Sequence, residues 1–171
     1  MFKVMMVCTG NICRSPMAEI VLREKLREKG LEGLVQVDST GISNEEVGNG
    51  LDRRARKVLV EAGYGDAALD THTARQLSGA MLAERDLVLV MTARHASAAR
   101  RLAERAGADG GVIQMFRTFD PAAPSLDENP EHVLDVDDPW YGGMRDFEVC
   151  LEQVEAAVAG LVEHLEREAS A

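Results

Sequence analysis

The chain has 171 residues, 46% of them hydrophobic, which is enough for one sizeable core and hardly for two. Its 19 Lys and Arg face 29 Asp and Glu, a formal charge of −10. This balance argues against nucleic acid and anionic membranes as partners, so an anionic ligand would need a local positive site working against the field of the whole molecule.

Phe2 to Val7 is short and apolar, which predicts a strand buried on both faces. Cys8 to Ser15 is a polar, Gly-containing turn. Pro16 follows as the expected first residue of a helix, where its missing N–H does no harm. Met17, Ile20, Val21, Leu22 and Leu26 recur at helical spacing, and Gly30 ends the run. Leu34 to Val37 is a second predicted strand, and Asp38 to Gly50 reads as loop. Leu51 to Ala62 is a helix stopped by Gly63.

The run from Asp86 to Met91 is the strongest strand signal in the chain. Thr92 then caps a predicted helix over Ala93 to Ala106. Gly111 to Met115 is a fourth strand. Arg117 to Gly143 holds four of the five prolines and reads as a long ordered loop. A last helix is expected from Met144 to about Glu166, with Met144, Phe147, Leu151, Val154, Val158, Leu161, Val162 and Leu165 as its apolar stripe.

Strands alternating with helices imply an α/β domain spanning residues 1–171, with a parallel sheet covered on both sides. In such sheets ligands bind at the carboxyl ends of strands, and the first such end is Cys8. The three cysteines, Cys8, Cys13 and Cys150, are too few and odd in number for a secreted disulfide framework. The opening apolar run is too short for a secretory signal, and no stretch is long enough to span a bilayer. A cytoplasmic, reduced protein is the expectation.

Cys8-Thr9-Gly10-Asn11-Ile12-Cys13-Arg14-Ser15 leaves a strand and enters a helix. A loop of this kind turns backbone N–H groups inward as an anion nest, and the helix start adds its positive end. Arg14 supplies a planar fork for two phosphate oxygens. The same field favours the thiolate of Cys8, the form that acts as a nucleophile. Ser15 can donate a hydrogen bond to that sulfur, and Asn11 suits a left-handed turn that braces the loop. The bland alternative is that Cys8 simply ends a buried strand. The spacing of Cys, five residues, Arg and Ser at a strand-to-helix junction outweighs it. Zinc is disfavoured because Cys8 and Cys13 lack the usual ligand spacing. Cys13 is open between two readings, a resolving thiol for an oxidised Cys8 and plain packing under the loop.

Cleaving a phosphate ester through Cys8 also needs a proton donor for the leaving oxygen. Asp137-Asp138-Pro139-Trp140-Tyr141 is the candidate segment. Pro139 holds Asp138 extended, and Trp140 with Tyr141 can wall an aromatic leaving group. Residue chemistry alone leaves Asp137 and Asp138 both open.

The loop with Pro16-Met17-Ala18-Glu19, together with Val37-Asp38-Ser39, His72-Thr73-Ala74-Arg75-Gln76 and Asp138-Pro139-Trp140-Tyr141-Gly142, resembles the low-molecular-weight protein tyrosine phosphatases over nearly the whole chain. The resemblance implies a three-layer sandwich on a four-stranded sheet in the order 2-1-3-4. It also implies a phosphocysteine intermediate, with Cys8 as nucleophile and Arg14 as phosphate clamp. Asp138 would serve as general acid and then as base. Thr9, Gly10, Asn11, Ile12, Cys13, Arg14 and Ser15 would cradle the phosphate. A bracing network of Asn11, Ser15, Ser43 and His72 is implied. So is a substrate wall of Ile12, Glu45, Trp140 and Tyr141, in which Glu45 and Glu46 stand where relatives present a bulky aromatic.

Further implications are phosphotyrosine proteins as partners, no metal or organic cofactor, and a monomer or weak dimer. Phosphoarginine phosphatases share this chemistry, but they tend to carry Thr at the place of Ile12. A thioredoxin-coupled arsenate reductase would need cysteines in the middle of the chain, where none occurs between Cys13 and Cys150. A non-catalytic phosphopeptide-binding module would not need both Cys8 and an acid. His95, His132 and His164 carry no motif and are expected at the surface, and Cys150 is expected in the core.

Overall fold

A computed structural model describes residues 1–169. Strands β1 (Phe2–Cys8), β2 (Val35–Gly41), β3 (Leu87–Val90) and β4 (Ile113–Met115) form one parallel sheet in the order β2-β1-β3-β4. Successive side chains of a strand point to opposite faces. Val4, Met6 and Cys8 of β1 therefore join the core on one face, and Met5 and Val7 join the core on the other. Both sets are buried, which is why the run shows no polar alternation.

Helix α1 (Arg14–Glu28), helix α2 (Arg53–Glu61) and the long helix α6 (Met144–Ala169) cover the first face. The apolar stripe of α6 is buried there from Phe147 to Leu165, with Cys150 among it. The opposite face is covered by α4 (Gly79–Ala83) and α5 (Ala93–Ala106), whose Ala96, Ala99 and Ala103 lie against the sheet. A one-turn helix, α3 (Ala68–Thr71), lies between α2 and α4 in the chain. The result is the three-layer arrangement expected. Neither α3 nor α4 was marked by periodicity, since each is too short to repeat an apolar stripe.

Several boundaries differ from expectation; the fourth strand, for one, starts at Ile113 and not Gly111, because Gly110–Val112 form a 3-10 turn. The second strand does not stop at Val37 but continues through Asp38, Ser39 and Thr40 to Gly41, pairing with β1 up to Cys8. These polar residues are tolerated on this edge strand because each side chain has a partner. Asp38 pairs with Arg75 and Arg85, Ser39 with Asn11 and Glu19, and Thr40 donates to the Met5 sulfur at 3.3 Å. Helix α1 begins at Arg14, so Pro16 is its third residue and not its first. No intrahelical acceptor exists for the N–H groups of the first turn, and proline fits there equally well. The segment from Arg117 to Gly143 is loop broken by short 3-10 turns at Phe116–Phe119, Glu131–Leu134 and Pro139–Tyr141.

Candidate active site

The carboxyl end of β1 turns through Thr9 to Cys13 and enters α1. Asn11 makes the turn with φ at +61°, the left-handed conformation that Asn tolerates. Its side chain is fully used. Nδ2 donates to Ser15 Oγ and to Ser39 Oγ, each at 2.9 Å, and Oδ1 accepts from the Arg75 amide at 3.1 Å. The Asn11 carbonyl meets His72 Nε2 at 2.6 Å. Asn11, Ser15 and His72 are thus brought together.

The Ser43 side chain is not part of that network, although the Ser43 amide donates to the Thr9 carbonyl at 2.9 Å. Its hydroxyl accepts from the Glu45 amide and it lines the cavity rim, while Ser39 occupies the bracing position. The reason is the longer β2. Ser39 is still in the strand beneath the loop, and Ser43 has passed beyond the strand end. Gly41 closes the strand where the loop crosses it. A Cβ there would lie 2.5 Å from the Thr9 carbonyl oxygen, so only glycine lets the two backbones pass.

Cys8 Sγ sits at the floor of a cavity of about 150 Å³. It receives the Asn11 amide at 3.3 Å and lies 3.0 Å from Ser15 Oγ. Ser15 Oγ is also 3.2 Å from the Thr40 carbonyl. One hydroxyl proton can therefore serve the carbonyl when the sulfur is a thiol, or turn to the sulfur when it is a thiolate. Among the described residues, no hydrogen bond takes up the amides of Gly10, Ile12, Cys13, Arg14 or Ser15. Free amides in a loop at a helix start are anion-binding groups.

Arg14 is buried at 4% exposure beside this floor. Nη1 donates to the Val136 carbonyl at 2.9 Å, and Nη2 pairs with Asp138 Oδ2 at 3.1 Å. Nε is buried with no partner among the described residues. An orphaned guanidinium donor costs free energy unless an anion accepts from it.

Asp138 reaches the cavity from the far loop. That loop is pinned over the strand ends by the Val136 amide on the Met91 carbonyl and by Asp135 Oδ1 on the Ala93 amide, both at 2.8 Å. Asp138 caps the Pro139–Tyr141 turn through the Trp140 amide, which leaves Oδ2 for Arg14. Asp137 is exposed and lies outside the cavity lining.

Ile12, Glu45, Glu46, Trp140 and Tyr141 all line the mouth of the cavity. Trp140 and Tyr141 pack edge to face, 5.0 Å between ring centroids, and remain 49% and 83% exposed. Arg54 was not anticipated. It stacks over Phe147 at 4.6 Å and donates to the Trp140 and Gly142 carbonyls, tying α2 to the acid loop.

All three thiols are free and buried. Burial first, then the charge of Asp52 and Cys8, pushes the Cys13 thiol well above its usual range. Cys13 shares the cavity with Cys8 but is held protonated, a slow form for thiol exchange. Burial likewise pushes Cys150 up to about 12.

His95 overturns its expectation. It is not at the surface but 6% exposed in the first turn of α5, with Nε2 at 2.8 Å from Thr9 Oγ1. A lone histidine without a motif gives no sign of this in the sequence. The start of α5 falls beside the phosphate loop only because β3 pairs with β1. His132 is exposed, and His164 is half-buried against Phe119.

Burial, then the neighbouring charges of Arg14 and Arg94, lowers His95 from 6.5 to about 3. The unfolded chain therefore binds more protons than the folded one between these values. Stability from this group is present above pH 6.5 and is lost as pH falls toward 3. From pH 6 to pH 4 the loss is roughly 2–3 kcal/mol, at about 1.4 kcal/mol per unit. His95→Gln is expected to flatten that part of the curve of urea midpoint against pH. An unchanged slope would contradict the assignment.

Residues 3–171 match the model of the family described as low molecular weight phosphotyrosine protein phosphatase. A low molecular weight protein-tyrosine-phosphatase of Streptomyces coelicolor is 46% identical over 163 residues, 94% of this chain and 92% of the relative. Low molecular weight protein-tyrosine phosphatase A of Mycobacterium tuberculosis is 40% identical over 158 residues, 92% of this chain and 88% of the relative. The crystal structure of YfkJ from Bacillus subtilis superposes with a TM-score of 0.85 at 29% identity, covering 98% of this chain and 96% of that one.

Proposed function

The chain belongs to the low molecular weight phosphotyrosine protein phosphatase family, and on that premise we propose that it hydrolyses phosphotyrosine in protein substrates through a phosphocysteine intermediate. Cys8 is the nucleophile, Arg14 the phosphate clamp, and Asp138 the general acid and then the base. The observation that carries this reading is the meeting of all three on one cavity, with the Arg14 Nε and five loop amides left without protein partners.

A phosphoryl group seated on those donors has its phosphorus facing Cys8 Sγ. Two of its oxygens accept from Nε and Nη2 of Arg14, and the pair between Arg14 and Asp138 opens. Sγ then bonds to phosphorus as the bond to the tyrosyl oxygen breaks. Asp138 gives its proton to that oxygen. In the second step Asp138 takes a proton from water, the water oxygen bonds to phosphorus, and the S–P bond breaks. The Ser15 hydroxyl, 3.0 Å from Sγ, stabilises the departing thiolate. Positive charge comes from Arg14 and backbone amides fixed in advance, so the reading assigns no role to a metal.

Ile12, Trp140 and Tyr141 give the mouth an apolar wall that suits an aromatic ring. The reading treats residues 1–171 as one catalytic domain. It also sets the protein in the cytoplasm, where free thiols are kept reduced. Among the described residues, no helix is long and apolar enough to cross a membrane.

Asp138→Asn tests the acid. Turnover of phosphotyrosine is expected to fall by roughly 10²–10³, the share general acid–base catalysis commonly supplies. With p-nitrophenyl phosphate, whose leaving group needs little protonation, the same variant should accumulate phosphate on Cys8. That adduct is read by intact mass and by ³¹P NMR after acid quench. Asp137→Asn should stay within about threefold of wild type, in line with surface changes elsewhere. Collapse of turnover in Asp137→Asn alone, or no phosphate on sulfur, would contradict the mechanism.

A further inference from the structure

We propose that His95 is a positioning residue of this site: its Nε2–H fixes the Thr9 hydroxyl, which braces the Arg14 guanidinium and turns its own proton toward the bound phosphoryl group. The proposal rests on the phosphatase reading above and extends it to a residue outside the phosphate loop.

His95 comes from the opposite side of the sheet to α1. Thr92 caps α5 by accepting from the His95 amide at 3.2 Å, and this sets the ring's approach to the loop. The ring reaches Thr9 Oγ1 at 2.8 Å, and the same oxygen accepts from Arg14 Nη2 at 3.3 Å. Thr9 lines the cavity beside Cys8 and Arg14. One hydroxyl that faces the cavity thus joins His95 to the Arg14 guanidinium.

The direction of that hydroxyl follows from proton counting. A hydroxyl has two acceptor positions and one proton. His95 Nδ1 is buried and has no partner among the described residues. Were the ring proton on Nδ1, a buried N–H would be orphaned, which folded proteins rarely allow. With the proton on Nε2 the orphan is only an acceptor. Nε2–H then donates to Thr9 Oγ1, Arg14 Nη2–H fills its second lone pair, and the hydroxyl proton is left to point into the cavity. Burial and the nearby Arg14 keep the ring neutral at working pH. The contact therefore adds no second cation near neutral pH.

The role predicts coupling. His95→Leu removes the donor, Thr9→Val removes the hydroxyl, and His95→Gln carries an amide N–H near the place of Nε2. His95→Leu is expected to lower kcat/KM on p-nitrophenyl phosphate about tenfold, as fits the loss of one buried hydrogen bond. It should weaken inorganic phosphate binding, measured by calorimetry, by a similar factor. His95→Gln should recover both to within about threefold, and Thr9→Val/His95→Leu should be no worse than Thr9→Val alone.

Losses that multiply in the double variant would overturn the proposal. So would unchanged phosphate affinity in His95→Leu, or a folded His95→Gln that recovers neither quantity. Phosphate affinity is read without turnover. A wild-type protein that binds phosphate but hydrolyses nothing would therefore sink the phosphatase reading, while the affinities of the variants still judge His95.

Discussion

Cys8→Ser is expected to lower turnover of aryl phosphates by about 10⁴-fold or more while leaving inorganic phosphate bound with near wild-type affinity. Removal of a covalent nucleophile is among the largest single losses an enzyme shows. The site gives a reason to expect that scale here. Cys8 is buried, its sulfur is met by the Asn11 amide at 3.3 Å and the Ser15 hydroxyl at 3.0 Å, and those donors stabilise a large sulfur anion. A serine hydroxyl in the same place stays protonated, because a hydroxyl is a far weaker acid than a thiol. The phosphate donors are untouched, because Arg14 and the loop amides do not depend on the sulfur. Steady-state rates and phosphate calorimetry on one preparation separate the two effects. Undiminished turnover in Cys8→Ser would end the phosphocysteine mechanism.

Arg14→Lys should follow, with kcat/KM down by roughly 10²–10³ even though the charge is kept. The arginine is used as a shape as much as a charge. Nη1 is anchored on the Val136 carbonyl, Nη2 touches Thr9 and Asp138, and Nε is buried without a partner among the described residues. A lysine ammonium can replace one of these positions and cannot span the others. Two phosphoryl oxygens would no longer be held together, and Asp138 and Thr9 would lose their shared partner. Phosphate affinity is expected to drop along with kcat, in contrast to Cys8→Ser. Equal kcat/KM for Arg14→Lys and wild type would show that the fork geometry is unimportant.

The chemistry of the phosphate loop was legible from residue order because its parts are local. A nucleophile, the amides around it and the clamp all lie within Cys8 to Ser15, where strand and helix meet. The proposed acid was legible for another reason. Asp138 precedes a proline and two aromatics, a combination with few other uses. Residue chemistry left Asp137 and Asp138 both open and the resemblance chose Asp138; the loop pinned at Met91 and Ala93 supports that choice, with one carboxylate at Arg14 and the other exposed.

The bracing residues were harder. Ser39 and Ser43 are alike in type and close in sequence, and β2 looked finished at Val37 because apolar periodicity stops there. The strand goes on because its polar side chains find partners on α1 and on the segment after His72, contacts no window of sequence contains. Gly41 belongs to the same class, since the need for glycine comes from the loop crossing above it.

What the amino-acid order determined by itself, then, was the set of strands and helices that repeat at a fixed period, and the cradle that brings Cys8 to Arg14. Backbone sterics and apolar spacing act over a few residues and are written in the sequence. The tertiary structure alone decided which polar groups meet across the chain. It set Ser39 under Asn11, Arg54 under the acid loop, and His95 against Thr9 across 86 residues. Those pairings depend on strand order and on the burial that follows from it, and neither exists until the sheet has formed.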